Sequence, residues 1–199
     1  MASQGPLYPS AAVNLINAGT SEDKDAWRNP TNVGADDGVV SDIVAATYDS
    51  PDISQILVAS SFGFTIPSGS TIDGIVVAIE RGCSAGAASD NRVQLAKGTT
   101  FADLVGTNKA DTALAWPAAL TVASYGTGTT DLWGATWTVT EINATSFAVF
   151  LSTQADAANT DIEVDFIRAT VHYTEPVVAW PPKKVEPAQF VPVHFPDRW

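Results

Sequence analysis

Hydrophobic and polar residues alternate along most of this chain with a period of two, which is typical of β-strands. Within IDGIVVAIER, Ile75, Val77 and Ile79 occupy one face, and Val93 and Leu95 share a face within NRVQLAKG. The segments LTVASYG and FAVFLST alternate in the same way. We therefore predict that these segments are strands with one face towards a common core.

The stretch DIEVDFIRATVHYT is the longest predicted strand, and its hydrophobic phase changes in the middle. Ile162, Val164 and Phe166 share one face, but from Ile167 onwards the alternate apolar residues fall on the other. A phase change inside one strand indicates either a β-bulge or a strand that passes from one sheet to another.

Turn-forming segments separate the predicted strands: NPTN, ADDG, IPSGS, SAGAASDN and GTGTTD. The best helix candidate is a single turn in VTEINATS, with Thr140 as its predicted cap. Many short strands with frequent turns and no helical crossovers favour an antiparallel sandwich or barrel.

The composition changes at Glu175, after which 25 residues hold six of the twelve prolines. The charges of this segment cancel, so the rest of the chain carries the whole net charge of −12. We therefore predict an N-terminal segment over 1–26 leading into a body over 27–174, followed by an extended C-terminal arm over 175–199.

The arm is predicted to dock on a neighbouring molecule, because it is too proline-rich for a central strand and too aromatic and uncharged for typical disorder. A polyproline-like arm of this length could reach on the order of 75 Å. The predicted partner-binding residues are the large apolar ones, Trp180, Phe190, Val193, Phe195 and Trp199.

Charge and composition narrow the choice of partners. The chain has 22 acidic and 10 basic residues, which argues against nucleic acid and against an anionic membrane surface. Cys83 is the one cysteine, so no intrachain disulfide is expected. The N-terminus lacks signal-peptide features, and no apolar run approaches membrane-spanning length, so we expect a protein made in a cytoplasm and soluble there.

Candidate catalytic and metal-binding residues are few. GCSAG matches the nucleophile pattern around Ser84, but a second strand rather than a helix is predicted after it. His172 and His194 are not at ligand spacing. We predict no enzyme, cofactor or metal site; calcium between the acidic loops ADDGVVSD and DAANTDIEVD stays open as an alternative to solvated turns.

Three tryptophans, Trp116, Trp133 and Trp137, cluster in LAWP and DLWGATW. Exposed, they could stack on sugar rings; in a sandwich they more often fill the core or an interface with the indole N–H bonded. We predict the core or interface position.

Six blocks together resemble virion-associated proteins of tailed bacteriophages: WRNPTNVGADDGVV, FGFTIPSGSTIDGIVVAIER, GTNKA, TDLWGATWT, INATSFAVFLS and VDFIRATVHYT. The resemblance covers about Trp27 to Thr174 and excludes the arm. NPTNVGADDG is also similar to the early loop of galactose-binding-like jelly rolls, without the paired arginines of such sites. The resemblance implies a jelly-roll-like β-sandwich with a structural role.

The predicted function is therefore that of a non-enzymatic structural protein of a phage virion, assembled in the host cytoplasm. We expect a capsid decoration (cement) protein, forming homo-oligomers with a trimer favoured, whose arm binds the major capsid protein, other virion proteins or its own copies. The alternatives are a tail, collar or fibre-base component, and a carbohydrate-binding module for host attachment that uses the tryptophans and acidic loops.

Overall fold

The computed structural model describes residues 1–17, 25–44 and 48–177, which form two antiparallel β-sheets around one hydrophobic core. This confirms the predicted all-β, sandwich-like class. The strands are β1 Ala2–Leu7, β2 Ala11–Leu15, β3 Ser41–Val44, β4 Ile56–Ser60, β5 Thr71–Ala85, β6 Ala88–Ala96, β7 Leu104–Val105, β8 Thr121–Tyr125, β9 Ala148–Ala155 and β10 Asp161–Thr174. A short helix, α1, spans Val139–Asn143, and 3-10 turns cover Pro30–Val33, Phe101–Asp103 and Gly128–Thr130.

The first sheet has the order β1-β10-β5-β8, with β3 also pairing with β10. The second has the order β2-β4-β9-β6-β7. Segment 1–26 therefore does more than lead into the body, because β1 pairs with β10 in one sheet and β2 with β4 in the other. At the C-terminal side, the last described strand ends at Thr174.

The inward face of β5 forms much of the core. Ile75, Val77 and Ile79 are fully buried, as their alternation predicts. The same face continues to Arg81, which is only 3% exposed. A charged side chain therefore occupies a position that the strand's periodicity assigns to the interior.

A β-bulge explains the phase change in β10. Val164 pairs with Arg81 and Phe166 pairs with Glu80, so Asp165 has no partner residue on β5. The strand keeps its pairing with β5 on both sides of this point, which confirms the bulge and excludes a change of sheet. As a result Asp165 is buried, and it accepts a hydrogen bond from the Gly38 N–H (3.0 Å).

The second sheet is apolar on both faces where β4 and β9 meet. One face joins the main core, and the other forms a smaller cluster that includes Val58, Ala96 and Phe150. Phe101 covers this cluster with its ring at right angles to that of Phe150, at a centroid distance of 6.2 Å. The continuous apolar run of these strands is therefore explained by burial on both sides.

The predicted helical turn is present, but its predicted cap is wrong. Thr138, not Thr140, caps α1: the Thr138 hydroxyl accepts from the Glu141 N–H (3.2 Å), and Glu141 Oε2 accepts from the Thr138 N–H (2.8 Å). Glu141 stands three residues after Thr138, which is the spacing of this reciprocal capping arrangement. Thr140 lies inside the helix.

We expect Thr138→Ala to destabilise the protein by about 1 kcal/mol, because the first turn of α1 loses an acceptor for its backbone N–H groups. Thr140→Ala removes an exposed threonine from the same helix without touching the cap and should change stability by less than about 0.5 kcal/mol. Urea unfolding of both variants provides the measurement. Equal losses would show that Thr138 does not act as the cap.

Candidate functional site

The predicted partner-binding residues Trp180, Phe190, Val193, Phe195 and Trp199 lie outside the described residues, as does His194. The last described residue is Val177, which is 96% exposed. The docking role of these side chains stays a prediction.

Ser84 lies in a hairpin, and the geometry of the nucleophile pattern is not formed around it. It is near the end of β5, which turns directly into β6 rather than into a helix. Its hydroxyl donates to Glu163 Oε1 (3.0 Å). His172 pairs with Gly74 at the other end of β10, nine residues from Glu163, or roughly 30 Å along the strand. Ser84 and His172 are therefore not brought together.

The three clustered tryptophans are buried, which confirms the core prediction for them. Trp116, Trp133 and Trp137 are 5%, 0% and 8% exposed. Each indole N–H has an acceptor: Asp90 Oδ1 (2.7 Å), the Ile75 carbonyl (2.8 Å) and the Leu132 carbonyl (3.1 Å), respectively. These rings therefore present no face on which a sugar could stack.

A groove of about 730 Å³ lies at the edge of the first sheet. One wall is β8 with the residues that follow it, through Thr127, and the facing wall is the segment 109–117. Among the described strands, β8 pairs with β5 alone, and all five β8 residues line the groove. Below, "the β8 groove" means this concavity.

Arg81 lies at the base of the β8 groove. Its guanidinium carbon is 4.9 Å from the centre of the Trp116 ring and 6.0 Å from that of Tyr125. Its Nε and Nη1 atoms are buried and have no hydrogen-bond partner in the part of the chain that the structure describes. A buried N–H group without an acceptor costs about 1–3 kcal/mol, and more when it is charged. This is the feature of the body that most needs a functional explanation.

Asp90, on β6, is the counter-ion of Arg81 but does not hydrogen-bond to it. The distance from Arg81 Nη1 to Asp90 Oδ1 is 3.7 Å. The Asp90 carboxylate instead accepts from the Trp116 indole (2.7 Å), the Tyr125 hydroxyl (2.9 Å) and the Asp111 N–H (3.1 Å). Burial and the nearby Asp90 charge raise the pKa of Tyr125, so this hydroxyl stays protonated and donates.

Lys109 supplies a second cation to the wall of the β8 groove. Its Nζ contacts Asp131 Oδ2 at 2.8 Å and lies 5.5 Å from the centre of the Trp133 ring. Burial alone would raise the pKa of Asp131, but hydrogen bonds from Lys109 and from the Thr127 and Trp133 N–H groups outweigh it, so the pKa is lowered. Asp131 therefore remains ionised and holds Lys109 in place.

Sequence analysis missed Arg81 as a site residue, although a signal was present. Arg81 follows Ile75, Val77 and Ile79 at two-residue spacing, so the strand pattern already places it on the buried face. A charged residue in such a position is expected to be paired or functional. Its partners come from segments far along the chain, and only the fold brings them together.

The two acidic loops meet at the bulge of β10. Carboxylate oxygens of Asp36, Glu80 and Asp165 lie within 4.8 Å of one another, and Arg168 Nη1 is 3.8 Å from Asp36 Oδ2. Burial raises the pKa of Glu80, with further contributions from the hydrogen bond and charge of Asp165. The prediction for these loops remains solvated turns, with calcium as the alternative.

We expect Glu80→Gln to stabilise the protein at neutral pH by up to about 1 kcal/mol, because it relieves carboxylate repulsion. Native Glu80 holds its proton more strongly than Glu80 in the unfolded chain. Stability should therefore fall as the pH rises from about 4.3 through the raised pKa, and the variant should lack this loss. Thermal unfolding between pH 4 and 8 tests this. Glu163→Gln removes a carboxylate from β10 outside the Asp36–Glu80–Asp165 cluster and is the matched control.

The comparisons with known proteins identify no family. No protein-family model, no curated protein and no solved structure has significant similarity to the chain. Among the described residues, no helix is both long enough and apolar enough to cross a membrane.

Proposed function

We propose that the protein is a non-enzymatic structural component of a bacteriophage particle, a capsid decoration protein that stabilises the shell. In this proposal an extended C-terminal arm attaches a jelly-roll-like body to the capsid lattice. The arm docks on neighbouring subunits of the major capsid protein or on other copies of the same chain. The body contributes rigidity, and its net acidic charge keeps it soluble before assembly.

The observation that supports the proposal most directly is the position and exposure of the residues that follow the last described strand. In the described part of the chain, the ten strands of the two sheets lie within residues 2–174, before the predicted arm begins. The next three residues, Glu175 to Val177, are exposed. This exposure supports a proposed arm that contacts other molecules, and its prolines would reduce the entropy lost on docking.

Deleting residues 175–199 should leave the body folded and soluble but lower its attachment to particles by at least about tenfold, because the aromatic anchors are lost. Circular dichroism and co-sedimentation with particles that lack the protein measure the two effects. The full chain with Trp180→Ala and Trp199→Ala is a milder control that keeps the arm's length. Unchanged attachment of the truncated protein would show that the arm is not the anchor.

The copy number in purified particles tests the role itself. Quantitative mass spectrometry against the major capsid protein should give a ratio near one for a decoration protein. A ratio lower by one to two orders of magnitude would favour the alternative, a tail, collar or fibre-base component. Absence from the particle would contradict both.

Host attachment through exposed tryptophans is the less favoured alternative. Trp116, Trp133 and Trp137 are all buried, and their indole N–H groups are bonded within the body. Sugar recognition by ring stacking would require one of them to be exposed. Sugar recognition would therefore have to use other side chains.

A further inference from the structure

We propose that the β8 groove binds a carboxylated sugar, such as a uronate unit, whose carboxylate is recognised by Arg81 and Lys109. This inference goes beyond the structural role in the virion. It does not depend on the arm, because every residue involved lies in the body. It can therefore fail or succeed separately from the decoration proposal.

The first observation that supports this proposal is that Arg81 has hydrogen-bond donors without an acceptor. Its Nε and Nη1 groups have no hydrogen-bond partner among residues 1–17, 25–44 and 48–177, and the side chain, which lines the β8 groove, is only 3% exposed. Asp90 does not meet this need, because its Oδ1 lies 3.7 Å from Arg81 Nη1, beyond hydrogen-bond distance, while its two oxygens accept three other hydrogen bonds. Both atoms are buried, so a ligand oxygen in the groove reaches the guanidinium through a small movement of the Arg81 side chain and supplies the missing acceptor.

The second observation is that the charged residues lining the groove are mostly cations. Two cations, Arg81 and Lys109, and one anion, Asp111, line the groove, on a chain whose net charge is −12. Asp90 and Asp131 lie behind these cations and hold them in place through the contacts described above. A negatively charged acceptor therefore fits the lining better than a neutral one, since charge-assisted hydrogen bonds are the stronger kind.

The remaining lining indicates a ligand with hydroxyl groups and an apolar face. The lining residues Thr121, Ser124 and Thr127 carry hydroxyl groups; those of Thr121 and Thr127 donate to the Ala119 carbonyl and to Asp131 Oδ2. Leu114 and Val122, which are 56% and 44% exposed, provide aliphatic surface beside them. The volume of about 730 Å³ lies within the range of roughly 300–1,000 Å³ that is usual for small-ligand sites. A sugar acid combines a carboxylate, hydroxyl groups and a C–H face in one compact ring.

Titration of the full-length protein with four sugars and one simple acid tests the proposal. The probes are glucuronate, galacturonate, glucose, galactose and acetate, followed by two-dimensional amide NMR. At least one uronate should bind at least roughly tenfold more tightly than its neutral counterpart and than acetate. The shifted signals should include those of residues 121–127, and the affinity should fall as salt is added.

Two lysines offer a matched pair of variants. Lys109 contacts Asp131 at 2.8 Å and lies 5.5 Å from the Trp133 ring; Lys97 contacts Glu141 at 2.8 Å and lies 5.4 Å from the Trp137 ring. Only Lys109 lines the groove. Lys109→Met should weaken uronate binding by roughly tenfold, whereas Lys97→Met should leave it unchanged.

Arg81→Lys tests the main contact while keeping a positive charge beside Asp90. It should also weaken binding by about tenfold or more, because an ammonium group does not reproduce the guanidinium geometry. Equal affinity for acetate would overturn the proposal in favour of a simple anion site, and equal affinity for neutral sugars would overturn the role of the carboxylate. The absence of saturable binding at millimolar concentrations, or equal effects of both lysine variants, would also overturn it.

Discussion

Asp90→Ala is expected to destabilise the folded protein by about 3–5 kcal/mol, one of the two largest effects that a single substitution should have. The variant leaves the Arg81 charge buried without a counter-ion. It also removes the acceptor of the Trp116 indole and the Tyr125 hydroxyl. In thermal unfolding this corresponds to a lowering of Tm by roughly 6–20 °C.

Two further variants separate the causes of this loss. Asp90→Asn keeps the shape and an acceptor oxygen but removes the charge, so it should fall between the parent and Asp90→Ala. Adding Arg81→Met to Asp90→Ala should recover part of the loss, because the unpaired cation is removed while the Trp116 and Tyr125 donors stay unmet. A loss below about 1 kcal/mol for Asp90→Ala would contradict the counter-ion role.

Phe147→Ala is expected to cost about 3–5 kcal/mol, because it removes the centre of an aromatic cluster in the core. The Phe147 ring is fully buried. Its centroid lies 5.7 Å from that of Phe62, 5.9 Å from that of Phe64 and 5.5 Å from that of Trp137. Urea unfolding should show a lower midpoint with little change in slope.

Phe147→Leu and Phe101→Ala are the controls for this effect. Leucine keeps most of the buried volume and should cost less than about 2 kcal/mol. Phe101 is only partly buried and contacts one ring, that of Phe150, so its truncation should cost less than that of Phe147. Equal losses for Phe147→Ala and Phe147→Leu would show that cavity formation is not the cause.

Residue alternation was enough to predict the fold class and five of the ten described strands, β5, β6, β8, β9 and β10. The alternation of Ile75, Val77 and Ile79 is reproduced by the buried face of β5. The phase change in β10 correctly indicated an irregularity, because a residue without a partner reverses the faces of all residues after it. It could not distinguish a bulge from a change of sheet, since that choice depends on which strands lie alongside.

The sequence was less informative about the helix cap, because two nearby threonines are both candidates for it. Both Thr138 and Thr140 are threonines near the start of the same helix, and the cap depends on which residue has an extended backbone. The spacing from Thr138 to Glu141 contained the answer. The predicted division at residue 26 also overlooked β1 and β2, whose pairing partners are distant in sequence.

Composition and periodicity depend only on residues that are close in sequence. They were sufficient to predict the all-β class, the apolar faces of the strands and the change of composition at Glu175. The surroundings of the β8 groove could not be predicted in this way, because their residues come from separate strands and loops of both sheets. These residues are Arg81, Asp90, Lys109, Trp116 and Tyr125. Their distances depend on how the sheets are ordered and packed, which alternation alone does not encode. The unmet donors of Arg81 arise from that packing, because each Asp90 oxygen is directed by the fold towards another donor.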